Sequence, residues 1–432
     1  MKAMEQYQMK NLYSAGNYQE IIALWQNLEE RKQFTEWDYV YVMNTFYAQK
    51  NYEQCLEVYR AFHAVFPESD KLDDKMSWSC YHARIKGFDF KTGDAEKLRR
   101  QAEYIITHSG QSVYSPKWFM VKYMLEHMKS GDFGTNMDPN LALRYIEQVD
   151  PTSLSTKSEE YTAENGRRIS LASDKENWYK EHTKVLLAVG QYEKCIASCD
   201  AALFNLHTFH SNNDSWFRFR KAKALYALGK TDESRKYIKE IQTRGLDHWC
   251  FYQLLYEMDK SENNIENAMI HACMCATADP SHEMRVKFYD DFSQFLEGNG
   301  YEREAMLHRQ LVLLIRKENE WTLRENHLAW KLPDEIAKMN KHAVLKELQE
   351  FWNKWKNRNK EYFTGVIKRL LSEGKSGFIE ANDGNSYYFN ARDFQKRGTV
   401  PQEGMKVRFA LTDRLDKSKG VVKKNAIELT VI

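Results

Sequence analysis

The segment Gly16-Asn17-Tyr18-Gln19-Glu20-Ile21 is nearly rewritten as Lys50-Asn51-Tyr52-Glu53-Gln54-Cys55, and Tyr18 to Tyr52 is a step of 34 residues. A period of this length is one supersecondary unit, too small to bury its apolar face alone, so a chain built on it must stack neighbouring units into a continuous core. The second copy runs on through Tyr59 and Phe62 at helical spacing and stops at Pro67, which reads as helix, turn, helix and breaker. Later copies repeat the same plan. Gly190-Gln191-Tyr192 leads to Cys195, Cys199 and Ala202, and Gly229-Lys230-Thr231 leads to Ser234, Ile238 and Ile241. Asn263 to Ile265 leads to Ala268, Ala272, Cys275 and Pro280, and Gly300-Tyr301 leads to Ala305 and Val312. Thr92-Gly93-Asp94 and Ser130-Gly131-Asp132 read as turns of diverged copies, so about eight helix pairs are expected over residues 1–320.

These residues resemble the tetratricopeptide-repeat family, which implies an α-solenoid with a concave groove lined by the first helix of each pair. In the sixth copy that helix is expected at Trp216 to Tyr226, with Trp216, Phe219, Lys223 and Tyr226 near one face, and Lys180 and Lys184 belong to the copy before it. Such a groove is expected to hold a protein or peptide partner, its aromatic and basic residues suiting an acidic peptide or a nucleic-acid strand; the plainer reading is packing aromatics and solvated lysines. The stretch 150–177 is the least repeat-like and reads as a loop, a hinge or an irregular repeat.

Composition agrees with a helical protein: 7 Pro and 19 Gly are few in 432 residues, while 25 Tyr, 22 Phe and 11 Trp supply aromatic packing. The seven cysteines have no framework spacing and the N-terminal residues lack an apolar signal core, so a reducing, cytoplasmic setting is expected. No apolar run approaches the roughly 18 residues of a membrane helix, so no membrane partner is expected. Cys195 and Cys199, or His271 and Cys275, sit four apart on expected helices, yet they occupy small-residue packing positions, where a buried Cys acts as a small apolar side chain. No metal or other cofactor is expected. No phosphate-cradling loop, His-Glu-x-x-His helix or nucleophile elbow is present, and no catalytic residue is assigned.

After Pro333 an amphipathic helix is expected from about Glu335 past Trp355, with Leu345, Leu348, Phe351 or Trp352, and Trp355 on its apolar face. Lys346, Lys354, Lys356, Arg358 and Lys360 make the other face basic. Residues 321–361 thus read as a cap and stalk. From Phe363 the period changes to alternation, and five short strands are expected at 363–371, 377–380, 386–390, 406–411 and 424–431. Over 362–432 there are 13 Lys and Arg against 8 Asp and Glu, a local charge of +5 in a chain of net +2.

Gly365-Val366-Ile367-Lys368, Gly377-Phe378-Ile379, Tyr388-Phe389-Asn390 and Lys419-Gly420 with Asn425-Ala426 resemble, in order, the opening strand, the two ribonucleoprotein motifs and the closing strand of the cold-shock domain family. The resemblance implies an all-β OB barrel over 362–432 that binds single-stranded RNA or DNA. Alternation of side chains puts Phe378 and Tyr388 outward as stacking platforms and Tyr387 and Phe389 inward. Lys368, Arg369, Lys375, Asn390 and Arg392 complete the expected nucleic-acid surface. Arg369 stands where the family has Trp, Ser376 where it has a further aromatic, and Asn390 where it has His, which predicts weaker binding, or binding shifted toward phosphate contacts and Arg stacking. The expectation is a mostly α protein that acts as a non-enzymatic adaptor, with repeats for a protein partner and a terminal domain for a single strand. The alternative is a protein-only scaffold or peptide-sensing regulator whose terminal domain docks another protein.

Overall fold

A computed structural model of the chain describes residues 2–112, 115–133, 138–279, 281–396, 398–416 and 419–432. It is mostly helical, with a five-stranded sheet domain at the C-terminus. Eight helical hairpins succeed one another among the described residues. They are Lys2–Ser14 with Tyr18–Gln26, Glu36–Ala48 with Tyr52–Val65, Asp73–Cys80 with Ala95–His108, and Lys117–Ser130 with Pro139–Glu147. Then come Asp174–Ala188 with Tyr192–Asn205, Asn213–Ala227 with Thr231–Thr243, Trp249–Ser261 with Ile265–Thr277, and Val286–Gly298 with Glu302–Glu318. Pro280, expected as a breaker after the seventh hairpin, lies outside the described residues.

Six of the hairpin turns share one backbone conformation. The first turn residue is left-handed in each, at Gly16, Lys50, Gly190, Gly229, Asn263 and Gly300, with φ between 55° and 81°. The next residue has φ between −75° and −100° and ψ between 57° and 78°. Its N–H donates to the carbonyl five residues back at 2.9–3.0 Å, the Schellman closure of a helix end. Five residues after each left-handed position the second helix presents a buried side chain, and from the second hairpin onward it is small: Cys55, Cys195, Ser234, Ala268 and Ala305. Three of these donate to the carbonyl twelve residues earlier on the facing helix: Cys55 Sγ to Met43 (3.6 Å), Cys195 Sγ to Thr183 (3.4 Å) and Ser234 Oγ to Ala222 (2.7 Å). The small residue therefore lets the helices approach and ties them together.

The chain divides into two compact units, Met1–Asn213 and Asp214–Ile432. The boundary falls inside the expected 1–320 array, and the terminal sheet belongs with the last three hairpins. Within the first unit, the irregular stretch near 150–177 holds a short ribbon of β1 (Glu160–Thr162) and β2 (Arg168–Ser170), antiparallel, before the helix capped by Ser173. Within the second unit, helix Lys341–Lys356 returns over the hairpins with Val344, Leu348, Trp352 and Trp355 buried. Trp352 Nε1–H donates to His308 Nε2 at 3.1 Å, while His308 Nδ1 lies 2.7 Å from the Glu304 carbonyl. Both ring nitrogens are thereby engaged in a neutral imidazole.

The terminal sheet comprises β3 (Tyr362–Leu371), β4 (Ser376–Ala381), β5 (Ser386–Asn390), β6 (Lys406–Asp416) and β7 (Val421–Val431). The order is β3-β4-β5-β7-β6, and β3 also pairs with β6, so the sheet closes on itself. Ile367, Ile379, Phe389, Val407, Phe409 and Leu429 fill its interior. Strands β6 and β7 run five and three residues beyond their expected limits at Leu411 and Lys424, because Thr412–Asp416 and Val421–Asn425 continue pairing as a hairpin.

Candidate nucleic-acid interface

Strand alternation decides which side chains of the sheet meet solvent. In β4, Gly377 and Ile379 point inward, and a Cβ on Gly377 would stand 2.4 Å from the Arg369 carbonyl and 2.8 Å from the Phe389 ring. Glycine is thus required for β3 and Phe389 to close over this point. Phe378, between them, lies on the outer face, half-buried. In β5, Phe389 is fully buried, and Tyr388 lies on the outer face beside Phe378, its direct register partner. The two rings meet edge to face, with centroids 5.7 Å apart and planes at 72°.

The third member of the row depends on an irregularity. Register on β3 runs Ile367 with Ile379, then Arg369 with Phe378, so one residue, Lys368, is extra on that strand. The bulge places Arg369, exposed, beside Phe378. On the other flank, Tyr388 pairs in register with Asn425 of β7, whose neighbour Ala426 is buried. Arg369, Phe378, Tyr388 and Asn425 therefore form one row across four strands. Asn425 was absent from the expected surface, because the parallel meeting of β5 and β7 is not visible in either strand alone.

The remaining expected residues serve mixed roles. Lys368 pairs with Glu380 at 3.0 Å, and Lys375 stands 3.7 Å from Glu373, both pairs largely exposed. Asn390 Oδ1 accepts the Arg392 N–H (3.1 Å) and its own N–H donates to Asp393 (3.0 Å), so its carbonyl oxygen is engaged in a turn. That turn projects Arg392 into solvent. Burial raises the Asp393 carboxyl above its ordinary range, against the Asn390 N–H and the charges of Arg392 and Arg414. Tyr387 is half-buried, packs toward the core against Phe409, and reaches Asp383 with its hydroxyl (3.1 Å).

The expected partner groove divides between the two units. Lys180 and Lys184, in the first, lie 3.8 and 3.4 Å from the buried Glu181, which Lys129 also holds at 2.6 Å. These cations keep the Glu181 carboxyl below its ordinary range despite burial. In the second unit Phe219 is buried, and Trp216 packs on Phe219, Phe251 and His248 at 5.1–5.9 Å. Tyr226 donates to the Glu257 carbonyl (3.1 Å), and of these four second-unit residues Lys223 alone is exposed. The aromatic members thus serve the helical core, which is the plainer of the two readings offered by their spacing.

A recess with aromatic and charged walls lies in the first unit, at residues the repeat pattern did not mark. It encloses about 730 Å³, and Lys75, Trp78, Lys117, Trp118, Phe119 and Lys122 of the third and fourth hairpins line it together with Asp74, Glu159 and Asp174. Burial lowers Lys75 and Lys117 below the ordinary lysine range, and Lys75 Nζ lies 4.5 Å from the Tyr47 ring centre. The pattern that could have revealed it is the run Lys117-Trp118-Phe119 one hairpin after Lys75 and Trp78.

Six of the seven cysteines are buried and Cys250 is half-buried; none is in a disulfide. Among the described residues, no three His, Cys, Asp or Glu side chains converge as a metal site, and no helix is long and apolar enough to cross a membrane. Residues 215–356 match a family model described as a domain of unknown function (DUF7017), which covers the helical part of the second unit and ends where the last helix ends. No curated protein matches the chain.

Proposed function

We propose that this chain is a non-enzymatic adaptor: a tetratricopeptide-like solenoid that engages a protein partner, joined to an OB-type, cold-shock-like barrel that binds single-stranded RNA or DNA. The observation that carries the reading is the outward row of Arg369, Phe378 and Tyr388 on three adjacent strands, over a closed apolar core. Base stacking on an aromatic platform contributes about 1–3 kcal/mol per base and is indifferent to sequence. The Arg369 guanidinium extends the platform by stacking or takes a phosphate. For the repeats, the six like turns and the small buried residues beyond them support the solenoid reading. The Lys75, Trp78 and Phe119 recess is the surface we assign to the protein partner.

Ultraviolet crosslinking of the full chain to oligo(U) or oligo(dT), with mass spectrometry of the products, tests the strand-binding half. The expected adducts fall on the peptides that carry Phe378 and Tyr388. Adducts confined to other peptides would refute the assignment and favour a terminal domain that docks protein.

A further inference from the structure

A second recess of the first unit lies where helix Tyr52–Val65 meets both helices of the third hairpin. It encloses about 360 Å³, within the range of small-ligand pockets. Its floor is apolar, built from the buried Leu56, Met76 and Cys80. The Cys80 thiol, pushed up to about 11 by burial, stays protonated. Tyr104 forms a wall, 41% exposed, its ring stacked on His108 at 4.0 Å.

The rim is cationic. Arg60, Arg84, Lys97 and Arg100 line the recess, all exposed, and among the described residues no acidic side chain lines it. Arg84 shares a solvent-exposed pair with Glu53 at 3.3 Å, of a kind worth little. Among the described residues, Arg60, Lys97 and Arg100 have no carboxylate within ion-pair distance.

Backbone geometry marks the same place independently. The helix that supplies Met76 and Cys80 opens into a π-helical turn, Tyr81–Ile85, closed by the Lys86 N–H on the Tyr81 carbonyl at 2.8 Å. Such turns are rare and recur at functional sites. One extra residue in the turn rotates the residues downstream of it by about 100° relative to an uninterrupted α-helix, and Arg84 lies within it.

Four cations around so small a volume exceed what one carboxylate can match. A di- or triphosphate supplies enough negative charge and accepts the paired N–H donors of guanidinium groups. The apolar floor and the Tyr104 wall suit a flat heterocycle. We propose that this recess is a nucleotide site: a nucleoside di- or triphosphate places its base over Met76 and Cys80 against Tyr104, and its phosphates on Arg60, Arg84, Lys97 and Arg100.

Isothermal titration of the full chain with ADP, ATP, GDP, GTP and inorganic pyrophosphate tests this. Nucleotide binding is expected, with pyrophosphate at least tenfold weaker. Arg60→Ala with Arg100→Ala is expected to weaken the nucleotide at least tenfold while leaving the thermal midpoint unchanged, since both side chains are exposed. Phe378→Ala with Tyr388→Ala leaves this site intact and so separates it from the terminal sheet. The proposal is overturned if no nucleotide binds at millimolar concentration, if pyrophosphate binds as well as ATP, or if the double arginine variant binds unchanged.

Discussion

Gly229 opens its turn at φ 76°, and a Cβ there would meet nothing within 4 Å. Alanine at this position therefore costs backbone strain alone, about 1 kcal/mol, read as a lower urea midpoint; no change would mean that the turn is not under conformational constraint. Lys50 and Asn263 accept the same strain at φ 58° and 55°, which is why the repeat is legible by its Asn-Tyr and small-residue positions more than by its glycines. Histidine sets a second expectation. Burial lowers His182, His282 and His308 to about 4, so each is neutral in the fold at pH 7. An unfolded histidine titrates near 6.5, so between about 6.5 and 4 the unfolded chain binds more protons and stability falls as pH falls. For His308 the loss by pH 5 is on the order of 2 kcal/mol. His308→Gln is expected to be less stable at pH 7 yet to lose less between pH 7 and 5. An unaltered pH slope would exclude His308 as a contributor.

At the scale of elements, hairpin ends are where unusual chemistry was hidden. Helix Ile265–Thr277 closes on Arg285, a fully buried guanidinium that donates to the carbonyls of Cys275 (2.6 Å), Ala276 (2.8 Å), Asp279 and Ser281 (2.7 Å). Arg285→Met would leave those carbonyls unpaired and is expected to cost at least about 3 kcal/mol, measured by denaturant unfolding; a loss below about 1 kcal/mol would mean water replaces the guanidinium. Nothing local to Arg285 distinguishes it in sequence from a solvated arginine. The strands of the terminal sheet were legible, because Gly377-Phe378-Ile379 and Tyr387-Tyr388-Phe389 alternate cleanly between core and solvent. The bulge at Lys368 and the parallel pairing of Tyr388 with Asn425 were not, because both are properties of strand pairs. Trp216 and Phe219 were ambiguous for a related reason: helical spacing names a shared face, and only packing against Phe251 and His248 says that it faces inward.

For the whole molecule, the helical hairpins were legible in a 34-residue period, while the division after Asn213 was not, since the repeat signal runs across it without a break. Charge is the property that most clearly separates the terminal sheet from the rest, and it bears directly on the proposed function. Strand binding through Arg369, Lys375 and Arg392 would neutralise about three phosphates. The affinity should then fall with salt, log K against log salt having a slope of about −2. The most direct test is an equilibrium titration of the full chain with fluorescent oligo(U) and oligo(dT) over a salt series, for the wild type and for Phe378→Ala with Tyr388→Ala. Binding with that slope is expected in the wild type, and a loss of about 2–6 kcal/mol in the variant with little change in slope, because stacking and not charge has been removed. No binding by the wild type at low salt, or equal binding by the two proteins, would contradict it.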